Sequence, residues 1–443
     1  MNAFDLIVIG AGPGGYEAAA IGAGKGLKTL LIERGELGGT CLNRGCIPTK
    51  CLCRSAEVIE NARQAAEFGI AIEDSPRAEI PAIIGRKNSV VAELREGVAL
   101  AVAKALVVNG EAEFTAPNVV KVNGEEFTAP KIIIATGSVP ARLPIPGAEL
   151  AADSTALLEI ESLPTRLAII GGGVIGLEFA SVFEAFGSEV TVVEYCKEVL
   201  PPFDREVAKR LRLALQKRGI AFHTSAEVTS LRQTEGGVEL KFSKKGKEET
   251  VEADAVLMAV GRRPALPAGL EAAGIAATPR GIAVNDSFET SVPGVFAIGD
   301  CNGRCLLAHA ASAQARAVMG ERVNLSVIPS AVFTMPEAAM AGPTEEQLKE
   351  QGAEFKTTKA LFRANGKAAA LGETDGLMKL ITAPDGRILA CHVCGPHAAD
   401  IAAEAALAIA NNLTAADIAA TVHAHPTLSE VLAAAAASSE KLK

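Results

Sequence analysis

The chain has no tryptophan, only two tyrosines, and no long run of charge of one sign. Its 43 basic and 52 acidic residues leave a net charge of −9. Such a surface repels nucleic acid and acidic membranes, so neither is expected as a partner. No apolar run reaches bilayer-spanning length; the run from Leu167 to Leu177 is rich in glycine and stops at Glu178. Near the N-terminus an apolar strand, Leu6 to Ile9, comes with no basic region and no small-residue cleavage site before it, so no secretory signal is expected. The protein is therefore expected to be soluble and cytoplasmic. In a chain of that kind, nine cysteines point to thiols or a catalytic pair rather than a structural disulfide framework.

Glycine, by contrast, is plentiful at 42 residues, which suits tight strand-to-helix turns. A hydrophobic content of 49% with 21% charged residues reads as globular, and 443 residues allow two or three domains. Two segments share one grammar: an apolar strand, a glycine turn, a small-residue helix, a glycine break and a second strand ending in an acid. The first runs from Phe4 to Gly35, with Gly10, Gly12, Gly15 and Glu33 at the key positions; the second runs from Arg166 to Tyr195, with Gly171, Gly173, Gly176 and Glu194. The acid stands 23 residues after the first glycine in both (10 to 33, 171 to 194). This internal repeat predicts two Rossmann-like dinucleotide-binding βαβ units.

The chemistry behind the pattern is the same twice. A pyrophosphate sits where a helix N-terminus presents unpaired N–H groups, and glycines keep side chains out of its way. The terminal acid accepts from ribose hydroxyls and would repel a 2′-phosphate, so Glu194 favours NAD over NADP, although Lys197 stands nearby.

Further strands are expected from Lys131, from Ala255 and from Gly294, the last ending in a turn with Asp300. From about Asn324, strands such as LMKLIT and ILACHV alternate with alanine-rich helices, including Ala398 to Ala410, and predict an α+β dimerisation domain. The tail from Leu432 is expected to be a fraying helix. The fold class is thus α/β, with two dinucleotide-binding domains and a C-terminal α+β domain. The expected divisions are 1–143 and 267–323 for the first nucleotide domain, 144–266 for the second, and 324–443 for the last.

Just after Glu33 comes GGTCLNRGCIPTK, Gly38 to Lys50. Cys41 and Cys46 are close enough to share one distorted helical turn and to close a disulfide. So small a loop adds little stability, which points to thiol–disulfide exchange. Other cysteines read differently. Cys51 and Cys53 are packing residues on the same helix, and nothing supports a Cys301–Cys305 pair. Cys391 and Cys394 lie in a strand-like run where positions three apart face opposite ways, so no metal site is expected. VHAHPTLSE near the C-terminus offers His423, His425 and Glu430. An imidazole held by a carboxylate is suited to moving a thiol proton near neutral pH.

The disulfide segment resembles that of the pyridine nucleotide-disulfide oxidoreductases, GGTCxNxGCxPxK, and the resemblance extends over the whole chain. It implies FAD in the first βαβ unit and NAD in the second. It implies flavin contacts for Asp300, and a Lys50 near the flavin N5 that pairs with Glu178. Gly39, Thr40, Thr136, Gly137, Gly261 and Arg262 join the implied cofactor-binding residues. The HxHPTxxE pattern resembles lipoamide dehydrogenases, with His425 as acid–base residue, Glu430 as its partner, and an active site shared across a homodimer. In that pattern Cys41 takes up the substrate sulfur and Cys46 faces the flavin.

The implied reaction is oxidation of protein-bound dihydrolipoamide with reduction of NAD⁺. The implied partner is a lipoylated protein of a 2-oxoacid dehydrogenase complex or of a glycine cleavage system. Glutathione reductases usually carry Tyr where Val174 stands, mercuric reductases end in a vicinal cysteine pair, and soluble transhydrogenases lack the disulfide. Another disulfide reductase of the family, or a non-catalytic flavin- and NAD-binding subunit, is the alternative. Arg44 replaces the apolar residue common between the two cysteines in the family and is expected to add positive charge beside the thiols.

Overall fold

Strands buried on both faces carry near-continuous apolar sequences, and the four residues of Leu6–Ile9 are all buried. In the computed structural model, which describes residues 2–440, this strand lies inside a five-stranded parallel sheet. The order across it is Val295–Ala297, Lys131–Ile134, Leu6–Ile9, Thr29–Glu33, Leu106–Asn109. The helix Pro13–Gly24 makes the crossover between Leu6–Ile9 and Thr29–Glu33, opening with proline at its first position, where no N–H is required. Its buried face is Ala18, Ala19, Gly22 and Ala23, small enough to let the helix lie close on the sheet.

The chain divides into two compact units. The first comprises residues 1–51, 81–141 and 261–325, and the second 52–80, 142–260 and 326–443. Besides the parallel sheet, the first unit holds a smaller one made of Asn2–Ala3, Glu125–Thr128, Val119–Val122 and Glu113–Ala116. Phe4, Phe114 and Phe127 join Ile7, Ile132 and Ile134 in the core between these sheets. Residues 81–101 of helix Ile80–Ala101, unmarked by any motif, are part of this unit.

The second unit repeats the parallel arrangement: Ala255–Met258, Arg166–Ile170, Glu189–Glu194, Ala221–Thr224. Placed beside Lys131–Ile134, Leu6–Ile9, Thr29–Glu33 and Leu106–Asn109, the order is the same strand for strand. The sequence repeat is thus also a repeat of topology. A three-stranded antiparallel ribbon, Ala226–Thr234, Gly237–Lys244 and Lys247–Ala253, packs Val228, Leu240 and Phe242 against this sheet.

The C-terminal part of the same unit is a five-stranded antiparallel sheet in the order Ser330–Val332, Glu337–Ala341, Ile388–Gly395, Leu377–Thr382, Lys356–Leu361. Helix Ala398–Ala410 falls where the alanine pattern places it. The tail departs from expectation. Glu430–Glu440 is a regular helix, and Val431, Leu432, Ala435 and Ala436 are buried against the sheet, with the Thr358 hydroxyl donating to the carbonyl of Ala435 at 2.9 Å. Alanines spaced at 435 and 436 beside Leu432 make an apolar face that holds this helix in place; residues 441–443 lie outside the described residues.

Candidate functional site

The two glycine turns are built alike. Gly10 has φ +99° and Gly171 φ +105°, a left-handed backbone that side chains disfavour. A Cβ on Gly15 would strike the carbonyl oxygen of Gly10, and one on Gly176 that of Gly171, so these glycines let helix and turn touch. Gly12 and Gly173 differ. Both have ordinary φ, −72° and −78°, and a Cβ on either would meet nothing within 4 Å. Neither backbone geometry nor internal packing requires glycine there. The space kept clear lies at the start of each helix, where a pyrophosphate binds, so the turns fit the dinucleotides the sequence implies.

The strand-end acids are also equivalent. Glu33 Oε2 accepts from the Ala11 N–H at 2.6 Å and Oε1 from the Gly35 N–H at 2.8 Å. Glu194 Oε2 accepts from Gly172 N–H at 2.5 Å and Oε1 from Cys196 N–H at 2.6 Å. Each oxygen keeps a lone pair for a ribose hydroxyl.

Cys41 and Cys46 form a disulfide, with Cα atoms 4.6 Å apart. Cys41 lies in helix Gly39–Arg44, and Cys46 opens the long helix Cys46–Arg63, with Gly45 breaking the chain between them. The disulfide segment rests directly on the first glycine turn. The Gly38 N–H donates to the carbonyl of Ala11 at 2.9 Å, and a Cβ on Gly39 would lie 2.6 Å from the Cα of Gly12. Thr40 follows in the same short helix, and Lys50 lies one turn into the long one.

Asp300 follows strand Val295–Ala297 in a 3₁₀ turn. The Ser138 hydroxyl donates to its Oδ2 at 2.5 Å, and Arg262 Nε donates to that hydroxyl at 2.7 Å. Burial pushes the Asp300 carboxyl above its usual range, opposed by the Ser138 hydrogen bond and the Arg262 charge. Ser138 carries no motif, and its partner stands 162 positions away, so sequence reading missed it. Gly137 lies beside it, with φ +70°, and its carbonyl accepts from the Ala265 N–H at 2.9 Å. Thr136 donates its hydroxyl to the carbonyl of Ala265 at 2.6 Å, and Gly261 accepts from the Ala141 N–H at 3.0 Å.

His425 Nδ1 lies 2.9 Å from Glu430 Oε1, and Glu430 Oε2 accepts from the Thr427 N–H at 2.8 Å. That backbone bond first, and His425 second, hold the Glu430 carboxyl below its ordinary value. The His425 side chain is 77% exposed in the single chain. A second pair escaped the sequence reading: His423 Nε2 lies 2.9 Å from Glu404 Oε1, with the ring nearly buried. Glu178, on helix Val174–Phe186, is buried and accepts from the Phe333 N–H at 3.1 Å.

The Arg44 guanidinium turns toward Glu36, at 3.7 Å, rather than remaining an unpaired charge beside the thiols. Glu36, three residues beyond Glu33, belongs to no motif. Cys51 and Cys53 are buried, and so are Cys391 and Cys394. Cys391 packs in the cluster under helix Ala398–Ala410, while Cys394 lies near Arg210 and Asp375. Burial pushes both thiols up to about 12. Among the described residues no cluster of His, Cys, Asp or Glu is arranged to hold a metal ion, and no helix is long and apolar enough to cross a membrane.

Comparison with known proteins agrees with this geometry. Residues 4–315 match the pyridine nucleotide-disulphide oxidoreductase model, and residues 328–436 match the dimerisation domain of the same group. The dihydrolipoyl dehydrogenase of Thermus scotoductus is 42% identical, aligning 98% of this chain with 97% of its own. That of Bacillus subtilis is also 42% identical, over 98% of this chain and 95% of its own. Among solved structures, the HOCl-induced flavoprotein disulfide reductase RclA of Escherichia coli superposes with a TM-score of 0.87 at 29% identity, covering 98% of this chain and 99% of that one. The chain belongs to the pyridine nucleotide-disulphide oxidoreductase family.

Proposed function

We propose that the protein is a dihydrolipoyl dehydrogenase, oxidising protein-bound dihydrolipoamide to lipoamide with FAD and NAD⁺. The observation that carries this reading is the contact between the Cys41–Cys46 segment and the first glycine turn, because it sets a disulfide beside a dinucleotide pocket. The names of relatives at 42% identity along nearly the whole chain support the choice of substrate.

When bound, FAD carries the electron pair from the dithiol to NAD⁺. The chain's own residues divide the remaining work. His425 takes the proton of an incoming thiol at Nε2, while Glu430 at Nδ1 fixes the ring. The resulting thiolate attacks Cys41, forming a mixed disulfide and releasing Cys46 as a thiolate. The second substrate sulfur displaces Cys41, so lipoamide leaves and the protein keeps the two electrons as a reduced cysteine pair. Lys50 and Glu178 would serve the redox end of the flavin, and Asp300, Thr136, Gly137, Gly261 and Arg262 would hold its ribityl part. Glu33 and Glu194 receive the two riboses.

The homodimer supplies His425 to the partner subunit's disulfide, which accounts for an imidazole left so exposed in one chain. A lipoylated domain of a 2-oxoacid dehydrogenase complex or glycine cleavage system brings the substrate, in the cytoplasm. Residues 1–143 with 267–323, 144–266 and 324–443 serve as FAD, NAD and interface domains. Replacing Cys46 with Ser tests the disulfide's part: the yellow protein should still be bleached by NADH yet lose NADH:lipoamide turnover. Retained turnover would refute the mechanism.

A further inference from the structure

We propose that Arg44 is a specificity-determining residue that grips the adenosine end of the dinucleotide in the first βαβ unit. The inference rests on the reading that this unit binds FAD. Glu33 marks the ribose, since it ends the second strand of the unit and keeps a lone pair on each oxygen. Gly35 lies next to it without a side chain. The point its Cβ would occupy is 3.5 Å from Glu33 Oε1 and 3.5 Å from Arg44 Nη2. Carboxylate and guanidinium therefore border one small gap at the ribose position, with glycine leaving it clear.

Arg44 is also aimed there by a built frame. Its charge leans on Glu36 at 3.7 Å, too long for a hydrogen bond, so its N–H donors remain available. Glu36 Oε1 is fixed by Arg95 Nη2 at 2.9 Å, and Arg95 Nε donates to Asn43 Oδ1 at 2.9 Å. Asn43 in turn donates to the carbonyls of Leu37 and Gly39, each at 2.9 Å. The frame ties the loop between the ribose acid and the disulfide helix, and it presents a flat cation with free donors beside Glu33. A guanidinium stacks on an aromatic face and donates to hydroxyl or ring nitrogen acceptors, and adenosine offers all three.

The experiment is reconstitution of the apoprotein with FAD and, separately, with FMN, which lacks the adenosine half, read as flavin fluorescence quenching. Arg44→Ala should weaken FAD about 3- to 30-fold, the range of an exposed to desolvated cation–π contact, and leave FMN unchanged. Glu36→Ala should move FAD in the same direction by less, and Arg44→Lys should recover part of the loss. Unchanged FAD affinity in Arg44→Ala would overturn the inference while sparing the FAD reading. Equal weakening of FAD and FMN would also overturn it, revealing a general collapse of the loop. A wild-type apoprotein that takes up no FAD would overturn both.

Discussion

Glu430 holds His425 from one side, its Oε1 2.9 Å from Nδ1, and spends its other oxygen on the Thr427 N–H. The carboxylate is thus immobilised by backbone and bound to the ring at once, which leaves Nε2 to face outward for proton transfer. His425→Gln should lower kcat for dihydrolipoamide oxidation by ~10²- to 10⁴-fold, the usual span for a lost acid–base group, with FAD content unchanged. Glu430→Gln should cost less, since the ring remains.

The same pair has a pH signature. Glu430 sits below the ordinary glutamate value of 4.5, so its contribution to stability is full above that value and is lost as pH falls through its folded value. The Tm difference between wild type and Glu430→Gln should hold steady from neutral pH down to about 4.5 and close only below it. Closure already near pH 6 would show that the carboxylate is not held as described.

Gly12 and Gly15 separate ligand from packing three residues apart. Gly12→Ala should leave the apoprotein's stability within about 0.5 kcal/mol, because its Cβ would meet nothing. FAD retention should nevertheless fall sharply. Gly15→Ala should destabilise even the apoprotein by about 1–3 kcal/mol, because its Cβ strikes the Gly10 carbonyl. Thermal melts of the apoproteins beside FAD titrations check both; equal apoprotein losses would remove the argument that Gly12 keeps space for a pyrophosphate.

Lys379 is buried among acids, with Nζ 2.8 Å from Asp204, 3.1 Å from Glu345 and 3.4 Å from Glu206. Asp204 also caps helix Arg205–Lys217, so the cluster ties that helix to the antiparallel sheet. Lys379→Met strands the fully buried Asp204 charge and should cost about 3–5 kcal/mol in chemical denaturation. A loss under 1 kcal/mol would mean that Asp204 finds another proton or partner.

Local signals carried much of this architecture. Both glycine turns, their acids, the disulfide segment and helix Ala398–Ala410 involve residues near one another in the chain, where spacing alone constrains geometry. The same holds for His425 and Glu430, five residues apart. What escaped was built by residues far apart. Ser138 meets Asp300 and Lys379 meets Asp204 only after the strands and helices have packed. Helix Ile80–Ala101 was also hidden: it carries no motif and contains Gly85 and Gly97. Arg44 was visible, but its direction was not, because that depends on Glu36 and Arg95.

The most direct test of the proposed function is anaerobic oxidation of NADH by the purified dimer, with lipoamide and glutathione disulfide compared side by side. Rapid turnover with lipoamide and little with glutathione disulfide is the predicted result. Turnover with glutathione disulfide but not lipoamide would contradict the proposed substrate, and turnover with neither would contradict the proposed enzyme.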